Sequence, residues 1–327
     1  MVSFSRMISS VSVALALVSV SSVLAAPVPE VSSLSTRDIT VPSPAFVIYS
    51  DLFTPDPNVL GDPSKYAGYN VINLSFLTVS KGPFDQVLRW QQLPADTKAT
   101  VKAQYAAAGI QIMASAFGQT DAPTTAGLDP AAIAAQFGQF VLDNGLDGID
   151  VDYEDLDAIN KGDGAGEAWV AAFTRALRAT LPQGQFVLSH APIAPWLAPN
   201  AAFAAGAYVQ VNKEVGDLID FYNIQFYNQG TNYQDCDSLL NAAQAPFTGS
   251  SLFEIASNGF ALDKLVIGKP ATAADVGPPP SGLMDPATLG TCVDQAATKG
   301  WKGGVMVFQD PHADSAWIQA AKGTAFQ

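Results

Sequence analysis

The chain is poor in the residues that most often hold metals and bind anions. Its 327 residues include two cysteines, two histidines and 16 basic side chains against 30 acidic ones, for a formal charge of −14. His190, His312, Cys236 and Cys292 are scattered rather than clustered, so neither a zinc site nor any other metal is expected. No basic stripe is visible, so neither nucleic acid nor an anionic membrane surface is an expected partner. No GxGxxG loop follows an early strand, and no dinucleotide or other cofactor is expected. No unit of about 20 to 50 residues repeats, which excludes a solenoid. Beyond the N-terminus no apolar run resembles a membrane span. No second domain and no aromatic-rich tail can be seen.

What remains is 48% hydrophobic and 14% charged, enough to bury one large core. A neutral substrate suits so acidic a surface, and a monomer is expected. The first residues, MVSFSRMISSVSVALALVSVSSVLAAP, place Arg6 before a short, serine-rich apolar run that ends in small residues. This is the pattern of a secretory signal peptide over residues 1–25, cleaved near Ala25 or Ala26, and it predicts an extracellular protein. The alternative is a buried N-terminal helix. Residues 26–44 read as a propeptide or linker with Arg37 as a candidate processing point, and the folded domain as 45–327. In an oxidising compartment Cys236 and Cys292 most simply form a disulfide worth about 4 kcal/mol by chain entropy. Two unpaired structural thiols are the alternative. The sequon Asn73-Leu74-Ser75 lies in an apolar, strand-like run and is expected to be buried and unused.

Apolar runs rich in β-branched residues recur along the chain: AFVIYS, NVINLSFL, IQIMASAF, LDGIDVDYE, FVLSHAP, FYNIQFYN, KLVIGKP and GGVMVFQ. Helical segments are expected near 95–108, 130–144, 166–181, 285–299 and 313–322. Eight such strands, mostly separated by helices, predict the α/β class and a single (β/α)8 TIM barrel. A doubly wound open sheet is the rival.

The fourth run carries its own repulsive charges. In a strand Asp150, Asp152 and Glu154 share one face, with Ile149, Val151 and Tyr153 on the other. Facing a barrel interior, three carboxyls so close cannot all ionise, and at least one keeps a proton near neutral pH. Protonation of a leaving oxygen needs such an acid. A solvated acidic loop is the plainer reading, but it leaves the strict alternation unexplained.

DGIDVDYE also resembles the DGxDxDxE strand of glycoside hydrolase family 18 at all five fixed positions. DFYNIQFYN is similar to the family's sixth strand, GGVMVF to its last, and Ala191-Pro192 to the pair after its fifth. The likeness runs from about Ala45 onward and implies the same barrel in a fungal-type, secreted, single-domain member. It departs at the last strand, where Phe308 stands at the family's usual Trp. It departs again at Ser115-Ala116-Phe117-Gly118, where SxGG is usual, and in FVIYSDLF, which lacks the WGQ-type signature.

The resemblance implies substrate-assisted hydrolysis with retention. Glu154 would be the acid and then the base, and the substrate's own 2-acetamido oxygen would be the nucleophile. Asp152 would hold the acetamido N–H, Asp150 would share a proton with Asp152, and Tyr227 would donate to the acetamido oxygen. Phe308 and Ser115 are further substrate-binding candidates, although Ser115 also reads as merely structural. Gln225 would bond the sugar or be a satisfied interior amide. Trp196 would stack on a sugar or belong to the core or rim. Asp147 reads as a turn-fixing residue and His190 as a hydrogen-bonded loop histidine. The implied substrate joins two N-acetylglucosamine units, either in the chitobiose core of an N-glycan, which the missing floor Trp favours, or in chitin. A sugar-binding lectin on the same barrel is the non-enzymatic alternative, against which the presence of Glu154 speaks.

Overall fold

The computed structural model describes residues 38–51 and 59–327. The expected signal peptide, Arg37 and residues 26–36 of the expected linker lie outside them. Eight parallel strands close a barrel: β1 (Ala45–Ser50), β2 (Val71–Thr78), β3 (Gln111–Phe117), β4 (Gly148–Asp152), β5 (Val187–His190), β6 (Phe221–Gln225), β7 (Leu265–Pro270) and β8 (Gly304–Asp310). They follow one another in order, and β1 pairs with both β2 and β8. A two-residue antiparallel partner, Gly82–Pro83, hangs on the end of β2. This is the (β/α)8 barrel that the run of strands predicts.

The surrounding helices are α1 (Asp85–Gln92), α2 (Ala95–Ala107), α3 (Pro130–Asp143), α4 (Leu156–Asn160), α5 (Ala165–Thr180), α6 (Ala207–Val215), α7 (Cys236–Leu240), α8 (Leu252–Ser257), α9 (Pro286–Thr298) and α10 (Ser315–Ala321). The five expected helices are present, each end within two residues of its expected place. α1, α4, α6, α7 and α8 were not anticipated. Pro94 separates α1 from α2, because the residue before a proline is pushed out of helical geometry. α4, α7 and α8 are too short to show a helical period. α3 and α9 start as their sequences dictate, with Asp129 and Asp285 accepting from the first free backbone N–H groups and a proline at the first helical position.

The main core lies between barrel and helices. Phe117 of β3 meets Phe137 of α3 and Trp169 and Phe173 of α5, with centroids 5.1–5.7 Å apart. Along the strands the outer core alternates with side chains that fill the barrel in levels. At the bottom, Ala45, Val47, Val71, Met113, Val187, Phe221 and Val266 form one apolar cluster, which Ile39 and Val41 join from the segment before β1. That segment is tied down by Ile39 N–H to Gly184 O at 2.8 Å and by the Gln111 amide to Thr40 O at 2.7 Å. Residues ahead of the first strand are thus packed onto the barrel from Ile39 onward. Asn73 points into the interior and is fully buried, so the sequon cannot carry a glycan.

Cys236 in α7 and Cys292 in α9 form the disulfide, with Cα atoms 5.0 Å apart. It pins α7, which precedes α8 and β7, to α9, which follows them.

Candidate active site

The acidic strand is shorter than its sequence pattern. β4 stops at Asp152, and Glu154 lies two residues beyond it, on the rim of a cleft of about 730 Å³ at the C-terminal mouth of the barrel. Its position is fixed from behind. Asp155 caps α4 through Ala158 N–H and also accepts from Thr125 N–H at 2.7 Å and Thr125 Oγ1 at 2.5 Å. Tyr153 turns outward, hydrogen-bonds Thr124 at 2.8 Å and stacks on Trp169.

Asp150 is the deepest of the three carboxyls. It accepts from Tyr49 at 2.7 Å, Ser115 at 2.8 Å, Ser189 at 2.6 Å and Asn223 at 3.0 Å. Burial pushes its pKa above the usual carboxylate range, and the four donors pull it back. These four donors favour its charged form.

Asp152 turns the other way. Its Oδ1 accepts from Gln225 Nε2 at 2.9 Å, and the same nitrogen reaches Glu154 Oε1 at 3.2 Å and Ala191 O at 2.9 Å. The Asp152 and Glu154 carboxyls are hydrogen-bonded to each other. Burial raises both, and repulsion from Glu154 and Asp150 adds to the rise at Asp152. The pair therefore holds one proton well above ordinary carboxylate pH. The resemblance implied a proton shared between Asp150 and Asp152. In the structure the side-chain hydrogen bond of Asp152 runs to Glu154, while Asp150 has four donors of its own.

Tyr227 and Phe308 line the cleft, and no side chain among the described residues takes the Tyr227 hydroxyl. Burial and the nearby carboxylates keep it protonated. Gln225 is the satisfied amide of the two alternatives, and it also lines the cleft. Ser115 does not face the cleft. It is fully buried and serves Asp150, so it supports the site from below rather than touching substrate. Trp196 is likewise not a sugar platform, since it is 0% exposed and stacks on Tyr208 in the core. His190 belongs to β5 rather than to a loop. It lies between Tyr208 and Thr174, and burial lowers its pKa to about 3, so it is neutral. Asp147 has the expected fixing role: it accepts from Ile112 N–H at 2.8 Å and pairs with Lys102.

Several site residues were missed. Tyr49 and Asp51 share the interior parity of β1 with Ala45 and Val47, and that alternation could have found them. Phe76 and Gln309 could not be found by parity. The register against a neighbouring strand shifts within β2 at Ser75–Leu77 and between β1 and β8 at Ile48–Ser50, and such irregularities re-aim side chains. Lys269 was missed as well. It is fully buried in β7 and donates to Phe226 O at 3.1 Å, Tyr233 O at 2.5 Å and Gly282 O at 3.2 Å, gathering the loops beside Tyr227. Among the described residues no group of three His, Cys, Asp or Glu is placed to hold a metal ion.

No family model and no curated protein matches the chain. Solved structures do. A GH18 chitinase from Pseudoalteromonas aurantia is 26% identical over 85% of this chain and 99% of that one, with a TM-score of 0.69. A fungal endo-β-N-acetylglucosaminidase from glycosyl hydrolase family 18 is 18% identical over 85% and 96%, with a TM-score of 0.57. A chitinase from Aspergillus fumigatus is 17% identical over 85% and 97%, with a TM-score of 0.58. At that lower identity the last two bear on the fold alone.

Proposed function

We propose that this chain, which is 26% identical to a GH18 chitinase over 85% of its length, is a secreted, retaining endoglycosidase of glycoside hydrolase family 18. Its reaction is cleavage of the GlcNAc-β-1,4-GlcNAc bond in the chitobiose core of N-glycans by substrate-assisted catalysis. The observation that carries this reading is the hydrogen-bonded pair of carboxyls, Asp152 and Glu154, that Gln225 holds together in the cleft.

Glu154 gives that proton to the leaving oxygen, and the bond from C1 breaks. The substrate's acetamido oxygen attacks C1 from the opposite face, so that a cyclic oxazolinium ion replaces a covalent enzyme intermediate. Asp152 is poorly placed to attack carbon itself, because it is buried and held by Gln225 and Glu154. It instead holds the acetamido N–H and offsets the positive charge, while the free Tyr227 hydroxyl steadies the acetamido oxygen. Glu154, now a carboxylate, deprotonates the water that opens the ring. The internal nucleophile needs no second molecule to be ordered.

The N-glycan substrate is supported by what lines the cleft. Among the described residues its aromatic side chains are Tyr49, Phe76, Phe84, Phe117, Tyr227 and Phe308, with no tryptophan to pave a long run of sugars. Chitin is the second reading, favoured by the 26% identity to a chitinase. A paired assay on a high-mannose glycopeptide and on chitotetraose, with products identified by mass, separates the two. Release of the glycan with one GlcNAc left on the peptide is the expected result, and turnover of chitotetraose alone would overturn the N-glycan reading.

A further inference from the structure

A second carboxyl pair stands in the same cleft, outside the chemistry described above. Asp51 follows β1, Asp85 opens α1, and their side chains are hydrogen-bonded to one another. Burial and the neighbouring Asp85 raise Asp51 to about 6, so this pair also holds a proton in mildly acidic water. Asp85 keeps a left-handed backbone, φ 40°, which a side chain rarely adopts unless its surroundings enforce it.

Gln309 provides the independent observation. It is the last residue but one of β8, next to β1, where Ser50 is paired with Asp310. It is 5% exposed and lines the cleft, yet its Oε1 is buried with no hydrogen-bond partner among the described residues. A buried carboxamide left unpaired is costly unless something supplies the missing bond. Phe84, whose ring is 38% exposed, stands on the same wall. An apolar ring, carboxyls that both donate and accept, and an open amide are together the groups that hold a pyranose.

The place of this cluster sets which sugar it meets. β8 is four strands from β4 in an eight-strand ring, diametrically across the barrel. The acid on the β4 side must lie at the bond being cut. A sugar over Phe308 then continues, away from Glu154, toward Asp51 and Gln309. Tyr227, which steadies the acetamido group of the sugar being attacked, packs in one cluster with Phe308, and on that ground this direction is read as the glycone side.

We propose that Asp51, Asp85 and Gln309 form a subsite for a mannose residue of the glycan, recognised by its vicinal hydroxyls. The inference rests on the endoglycosidase reading above and names the part of the substrate that selects it. Two adjacent carboxyls match two adjacent hydroxyls. An internal chitin unit has none to offer, since its 4-oxygen is linked and its 2-position carries the acetamido group. A mannose of the arms keeps such a diol.

The test compares kcat/KM on a high-mannose glycopeptide with kcat/KM on the same glycopeptide trimmed to its two GlcNAc units. In Asp51→Asn/Asp85→Asn the ratio should fall at least tenfold, and Gln309→Met should lower it in the same direction. Asp51→Asn alone, checked for a native unfolding transition, serves if the double variant does not fold. A ratio unchanged in all folded variants would overturn the subsite while the endoglycosidase reading stands. Failure of the unaltered protein to cut either glycopeptide would remove that reading, and the subsite with it.

Discussion

Tyr49 donates its hydroxyl to Asp150 at 2.7 Å, joining the first strand to the acidic strand across 101 residues of sequence. Three other donors meet the same carboxylate from β3, β5 and β6. Five of the eight barrel strands therefore converge on one buried charge, and the carboxyls above it are oriented from below. Tyr49→Phe removes one of the four donors and leaves a buried charge less satisfied. A loss of about 1–3 kcal/mol in stability is expected, with a fall in kcat, measured by chemical unfolding and steady-state kinetics.

Glu154→Gln keeps the shape and removes the transferable proton. Activity should fall by about 10²–10⁴-fold. Stability should not fall, and the sign follows from linkage. The Asp152–Glu154 pair binds a proton more tightly when folded than when unfolded, so it lowers stability as pH rises from the ordinary carboxylate range through the raised one. Gln at 154 relieves that term. Melting temperature followed from pH 4 to 8 should show a flatter decline in the variant.

The same pair sets the alkaline edge of activity. Its last proton leaves against the charge already present on its partner. In Asp152→Asn that repulsion is absent, so Glu154 should lose its proton at lower pH and the alkaline limb of kcat/KM should move down. A pH–rate profile of both proteins checks this. A limb that stays in place would remove Asp152 from the titration.

Lys269 makes a different pH signature. Burial lowers its ammonium to about 7. Between about 7 and the ordinary lysine value the unfolded chain binds the extra proton, so this residue's contribution to stability rises with pH across that window and is lost as pH falls through 7. Lys269→Met should abolish that slope in thermal unfolding. It should also raise KM, because Phe226 and Gly282 lose the group that holds them beside Tyr227.

The disulfide closes a separation of 56 residues. The Cys236→Ala/Cys292→Ala variant should lose about 4 kcal/mol and melt roughly 8–16 °C lower. Calorimetry with the unaltered protein as reference measures the difference.

Much of this was legible in the sequence because a strand has a strict period. Parity alone places Asp150 and Asp152 in the barrel and brings Asn223 and Gln225 to the same face. The period fails where strands end. Glu154 and Tyr227 lie beyond β4 and β6, and their convergence is made by loops and by Asp155 rather than by alternation. It fails again at the irregular pairings beside Phe76 and Gln309. Trp196 shows a third limit: residue type indicates what a side chain could do, and only the packing against Tyr208 shows that it faces the core.

The stretch from Asp38 to Pro44 makes a cup of what would otherwise be a pipe. Ile39 and Val41 seal the lower mouth, and the apolar cluster they join runs upward to Tyr227 and Phe308. A shortened chain begun at Ala45 would let water in from beneath. Wetting that column would weaken the low-dielectric environment that raises the Asp152–Glu154 pair. The acid strength at the top of the barrel thus depends on seven residues at its foot, and where the first residue of a recombinant protein is set becomes a choice about chemistry.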